Sequence, residues 1–145
     1  MGSNLIRYLC VSVTLFSALT LGQEPKTATQ TPGQDVQVIQ ITAKKYEFSP
    51  SCVHVKAGAK VKLKITAIDE NHGFKSAIVS DGADSSARPG LEFASPQAND
   101  GWRLKKGRET TIEFFAEAPG TYEFRCSVVC GIHHNRMKGQ VVVDP

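Results

Sequence analysis

Two thiols, an imidazole and a thioether fall within one short stretch near the C-terminus, at Cys126, Cys130, His134 and Met137. Thiolate and thioether are soft donors and imidazole suits copper, so this set selects copper over the hard cations that prefer oxygen. Such a site needs one more nitrogen, and outside the stretch the candidates are His54 and His72. His54 stands between Val53 and Val55, so on a strand it faces away from that apolar pair and toward solvent. His72 follows the alternating run 59–68, within Asp69-Glu70-Asn71-His72-Gly73-Phe74, where a strand end delivers it to the loop. His72 is therefore the expected partner. His133 reads as a surface histidine, and Cys52 as an outward thiol able to pair with another chain. Three plainer chemistries stay open at this point. They are a disulfide between Cys126 and Cys130, a zinc site of two cysteines and two histidines, and a mononuclear copper site using one thiol.

The elements that must position these groups have a hydrophobic period of two. In 59–68, Val61, Leu63, Ile65 and Ala67 alternate with Lys60, Lys62, Lys64 and Thr66, the pattern of a strand with one buried and one wet face. Short β-rich runs recur at 36–43, 52–56, 110–116, 121–126 and 140–143. Turn signals separate them at Ser49-Pro50, Ala57-Gly58, Lys106-Gly107, Pro119-Gly120 and Gly139. No stretch carries an amphipathic helix. The expected fold is all-β, an antiparallel Greek-key sandwich of two packed sheets. The metal-ligand stretch then becomes a single loop joining two strands, held by a rigid frame. The segment 81–101 carries only Leu91 and Phe93 as bulky residues and reads as a long loop, with Trp102 after it as a packing residue.

The 145 residues, 41% of them apolar, suffice for one domain. Seventeen basic and 14 acidic residues give a net charge of +3, without the strong basic bias of a nucleic-acid binder. No apolar run reaches the roughly 18 residues that cross a bilayer. Residues 1–22 read as an export signal, with Arg7 the only charge before an apolar run at 9–21 that contains Cys10; an uncleaved anchor is the alternative. Residues 23–35 are a polar linker, and 36–145 are the folded domain. A periplasmic or secreted location follows. No carboxylate pair, triad or open-site motif argues for an enzyme.

The arrangement Asp69-x-x-His72-Gly-Phe74, Pro119-Gly-Thr-Tyr122 and Cys126-x3-Cys130-Gly-x-x-His134-x-x-Met137 resembles the binuclear copper (CuA) domain of cytochrome c oxidase subunit II and its soluble cupredoxin relatives. The resemblance runs from Val36 to the C-terminus and implies a cupredoxin-like fold. It implies two copper ions bridged by the thiolates of Cys126 and Cys130, with His72 on one and His134 on the other. Met137 would be a weak ligand and the Val128 carbonyl another. Asp69 would help position the His72 turn, and Phe74 with Ile132 would close a water-poor pocket. Two bridging thiolates share the charge of one added electron, so the implied role is single-electron transfer between exported redox proteins. The chain departs from the oxidase subunit in carrying Val128 where an acidic residue is usual, and in lacking the paired transmembrane helices. A stand-alone carrier is the expectation, with copper storage, delivery or assembly as the second class. Arg136 and Lys138 beside His133, with no acidic residue between Arg125 and Val143, predict a partner with an acidic docking face.

Overall fold

The computed structural model describes residues 36–84 and 86–145. The expected signal at 1–22, the linker at 23–35 and Cys10 lie outside the described residues. Ten strands occur in chain order: β1 (Val36–Lys44), β2 (Glu47–Ser49), β3 (Cys52–Lys56), β4 (Lys60–Ala67), β5 (His72–Ser76), β6 (Leu91–Phe93), β7 (Trp102–Leu104), β8 (Glu109–Ala116), β9 (Gly120–Arg125) and β10 (Lys138–Asp144). They form two five-stranded sheets, β2-β1-β4-β8-β6 and β3-β10-β9-β5-β7. The expected β-sandwich is the observed architecture.

The alternation read in the sequence becomes the core. Val61, Leu63, Ile65 and Ala67 of β4 are fully buried, as are Ile112, Phe114 and Ala116 of β8 and Tyr122 and Phe124 of β9. The lysines between them form the wet face, where Lys62 reaches Glu113 at 2.9 Å and Lys64 reaches Glu109 at 3.1 Å. Such exposed pairs add about 0–1 kcal/mol each, so burial of the opposite face decides the strand. Tyr122 donates its hydroxyl to the Ala118 carbonyl at 2.7 Å, which anchors the turn into β9.

Within this sandwich two strand pairs run parallel. β1 pairs with β4 in parallel, and β10 pairs with β3 in parallel. The reason is the crossover: the chain leaves the first sheet after β2, forms the edge of the second sheet with β3, and returns to lie beside β1 as β4. The turn between β3 and β4 is tied to both sheets, by Ala57 N–H to the Asp144 carbonyl and Gly58 N–H to the Ala116 carbonyl, each at 2.8 Å. Gly58 takes φ +79° there, a conformation that favours glycine.

The segment 81–101 is also not loop throughout. Leu91 is buried and β6 pairs antiparallel with β8, because one apolar side chain and one free sheet edge suffice for a three-residue strand. Trp102 packs as expected, its ring 4.9 Å from Phe93 and 6.2 Å from Phe74.

Candidate metal centre

The loop from Cys126 to Met137 joins β9 to β10, and the Cys126 N–H donates to the Met137 carbonyl at 2.9 Å to close its neck. A 3-10 turn at His134–Arg136 brings the chain back so that Met137, fully buried, re-enters the core. β5 supplies the remaining side of the site. It pairs with β7 and β9, and His72 is its first residue.

The donors converge. The Cys126 and Cys130 sulfurs are 3.7 Å apart, free and buried. Nδ1 of His72 lies 4.0 Å from the Cys126 sulfur, and the Met137 sulfur lies 3.9 Å from that of Cys130. The Cys126 thiol donates to the Val128 carbonyl at 3.1 Å. His72, Cys126 and Cys130 present ligand atoms all within 4.8 Å of one another, the one such cluster among the described residues. Two thiols, an imidazole nitrogen, a thioether and a carbonyl form a soft and borderline set that fits copper.

His72 is held from behind. Its Nε2–H donates to Asp69 Oδ1 at 2.7 Å, which leaves the Nδ1 lone pair facing the thiols. Asp69 also accepts the N–H groups of Lys45 at 2.7 Å and Glu70 at 2.8 Å. Burial raises the pKa of Asp69, but the hydrogen bonds from His72 and the two backbone donors outweigh burial and hold the carboxyl at about 2. Asp69 thus makes the contact that the expected positioning role requires. Burial, followed by the neighbouring Cys126 thiol, pushes Cys130 up to about 12. Metal-free Cys130 therefore keeps its proton at neutral pH, and a bound metal must displace it.

Gly73 is where β5 meets the loop. Its N–H donates to the Cys126 sulfur at 3.4 Å, and a Cβ there would strike the Ser127 side chain and the backbone nitrogens of Ser127 and Val128. Sequence reading carried this glycine only as part of the Asp69-x-x-His72-Gly-Phe74 pattern and gave it no role of its own. Tyr46 is a residue it missed. The Tyr46 ring stacks edge-on against His133 at 5.4 Å, and its hydroxyl fills the space that a Cβ on Gly131 would need, where Gly131 takes φ +130°.

Not every expected group joins the cluster. His134 is half-buried and lines a cleft of about 560 Å³ with Cys126, Ser127 and Asn135; it is not among the three residues whose ligand atoms lie within 4.8 Å. Phe74 is fully buried against Phe48 and Phe124, but Ile132 is 86% exposed and closes nothing. His54 and Cys52 face outward on β3, as their alternation with Val53 and Val55 predicted.

The same cleft is lined by Lys75, Arg125 and Lys138, and by Asp100. Lys138 is paired with Glu123 at 3.3 Å, a partner from β9 outside the 126–142 stretch that made the neighbourhood read as free of acids.

A model of the cupredoxin-like domain matches residues 11–143. Two cytochrome c oxidase subunit 2 sequences, both from Thermus thermophilus, are each 24% identical over 120 residues, 83% of this chain. The chain spans 75% of the first and 60% of the second. Among solved structures, a heme-copper terminal oxidase dimer is similar with a TM-score of 0.55 at 19% identity, over 79% of this chain and 68% of that one. Auracyanin A, a blue copper protein of Chloroflexus aurantiacus, is similar with a TM-score of 0.55 at 19% identity, over 75% and 99%. Similarity at this identity bears on the fold alone.

Proposed function

The chain belongs to the cupredoxin-like family, and from that premise we propose that it is an exported carrier of single electrons with a thiolate-bridged pair of copper ions. Cys126 and Cys130 would bridge, His72 and His134 would each hold one ion, and Met137 and the Val128 carbonyl would complete the set. Bound copper supplies the one-electron couple. The observation that carries this reading is the pair of buried free thiols 3.7 Å apart, both beside the His72 imidazole. A mononuclear site that uses one thiolate leaves the other buried thiol uncoordinated.

The protein's part is to keep the donors still. Asp69 fixes the His72 tautomer and ring, the Gly73 N–H rests on the Cys126 sulfur, and two sheets hold the strands that carry them. Donors that do not move when charge changes keep the reorganisation small. Among the described residues no helix is long and apolar enough to cross a membrane. Electrons would pass at the cleft beside His134, where Lys75 and Arg125 favour a redox partner with an acidic face.

One observation favours a second reading, a copper storage or delivery module with a single ion: His134 stands outside the tight cluster. Voltammetry of the copper-loaded protein, followed by challenge with a Cu(I) chelator, separates the two. A carrier gives a reversible one-electron wave and retains its metal. An irreversible wave with rapid loss of Cu(I) to the chelator supports delivery instead.

A further inference from the structure

Away from the metal loop, the outer face of β3 and β10 also sets a thiol, an imidazole and a carboxylate in line. β3 is the edge of its sheet and turns Cys52 and His54 to the same side, two positions apart. The Cys52 sulfur lies 3.7 Å from His54 Nε2. On the other side of the ring, His54 Nδ1 lies 3.1 Å from Asp144 Oδ2 at the end of β10. Gln140 sits opposite Cys52 in the parallel register and donates its side-chain N–H to the sulfur at 3.6 Å. The order carboxylate, imidazole, thiol repeats that of the buried centre, where Asp69 is 2.7 Å from His72 and His72 is 4.0 Å from the Cys126 sulfur. The difference is access. Cys52 is an exposed free thiol, and the His54 and Asp144 side chains are 62% and 51% exposed.

We propose that Cys52 and His54 form a second, surface site for one soft d10 cation of the Cu(I) class, with Asp144 as the positioning residue. A d10 cation sits about 2.3 Å from sulfur and about 2.0 Å from an imidazole nitrogen, which places the donors roughly 3.5 to 4.3 Å apart as the angle opens from tetrahedral to linear. The observed 3.7 Å falls inside that range with no movement of the strand. Thiolate sulfur selects a soft ion, and the Nδ1–H held by Asp144 leaves the Nε2 lone pair directed toward the sulfur. Binding replaces the Cys52 S–H bond with a sulfur–metal bond and releases one proton to solvent; no electron is transferred. Two donors on an open face leave the remaining coordination to solvent or to an incoming ligand, so this ion exchanges where a buried one does not.

The test is an anaerobic titration of Cu(I) into the full chain in competition with a chromophoric chelator, with Cys10 replaced by serine in every sample. Cys52→Ser is expected to bind one equivalent fewer than the parent, with an unchanged melting temperature because the side chain is exposed. His54→Ala should weaken that same equivalent by at least about tenfold, and Asp144→Asn by about tenfold, the usual cost of losing an outer-shell partner. A chain carrying Cys126→Ser with Cys130→Ser should retain one equivalent that disappears when Cys52→Ser is added, so this arm reads the surface site whatever the buried centre does. An unchanged copper count in Cys52→Ser overturns the proposal. So does full affinity in His54→Ala, which would mark a bare thiol rather than a two-donor site.

Discussion

Asp69 shows how one carboxylate sets the terms for His72. Its pKa of about 2 lies below the ordinary 3.8, so the stability it contributes is complete above pH 3.8 and is lost as pH falls through about 2. In metal-free protein, the denaturation midpoints of wild type and Asp69→Asn should therefore differ at pH 5 and converge between pH 4 and pH 2; a constant gap across that range would contradict the assignment. The same substitution should weaken copper binding about 10- to 100-fold, since it frees the imidazole behind the metal. The two cysteines and Met137 divide differently. In the proposed bridged centre, Cys126→Ser or Cys130→Ser would take away a bridge and should abolish the absorption of a delocalised pair. Met137→Leu keeps the shape of a buried side chain, so both coppers should remain and only the potential should shift, read by voltammetry. An unchanged spectrum in Cys126→Ser would hand the site to a single ion on Cys130.

At the scale of elements, the close approach of β5 to the metal loop is the joint on which the centre depends. Gly73→Ala places a methyl group against Ser127 and the backbone of Ser127 and Val128. Overpacking of this kind costs about 1–3 kcal/mol, and it pushes the Cys126 sulfur away from the Gly73 N–H. The expected result is a folded protein with a lower melting temperature and a shifted charge-transfer band; an unaltered band would mean that the loop sets the site without β5. What the sequence could show of these elements follows from how each is specified. β4 carries its own alternation of four buried apolar residues and was legible residue by residue. β2, β6 and β7 are three residues each, too short for any period, and exist because a neighbouring edge is free to pair. Parallel and antiparallel strands share the period of two, so the parallel pairing of β1 with β4 left no trace in the pattern. The ligand loop was legible because its chemistry is local, Cys126 to Met137. The alignment of Cys52 and His54 with Asp144 was not, because a register between β3 and β10 brings together residues 90 apart.

For the molecule as a whole, charge and site point to the same end. Lys75 and Arg125 come from different strands of one sheet and frame the cleft that reaches Cys126 and His134, while Lys138 is already paired with Glu123. Electron transfer to an acidic redox protein should slow as salt rises, and Lys75→Glu with Arg125→Glu should slow it at low salt and flatten that dependence. Stopped-flow mixing reads both, and a salt-independent rate in wild type would remove the docking role. The positive rim matters only if the cleft leads to a redox centre, and the character of that centre rests on two buried thiols 3.7 Å apart. Counting copper per chain while recording the electron paramagnetic resonance spectrum of the partly oxidised protein tests this most directly. Two coppers per chain are expected, with the hyperfine pattern of one electron shared by both nuclei; one copper per chain with a single-nucleus pattern would contradict the bridged pair.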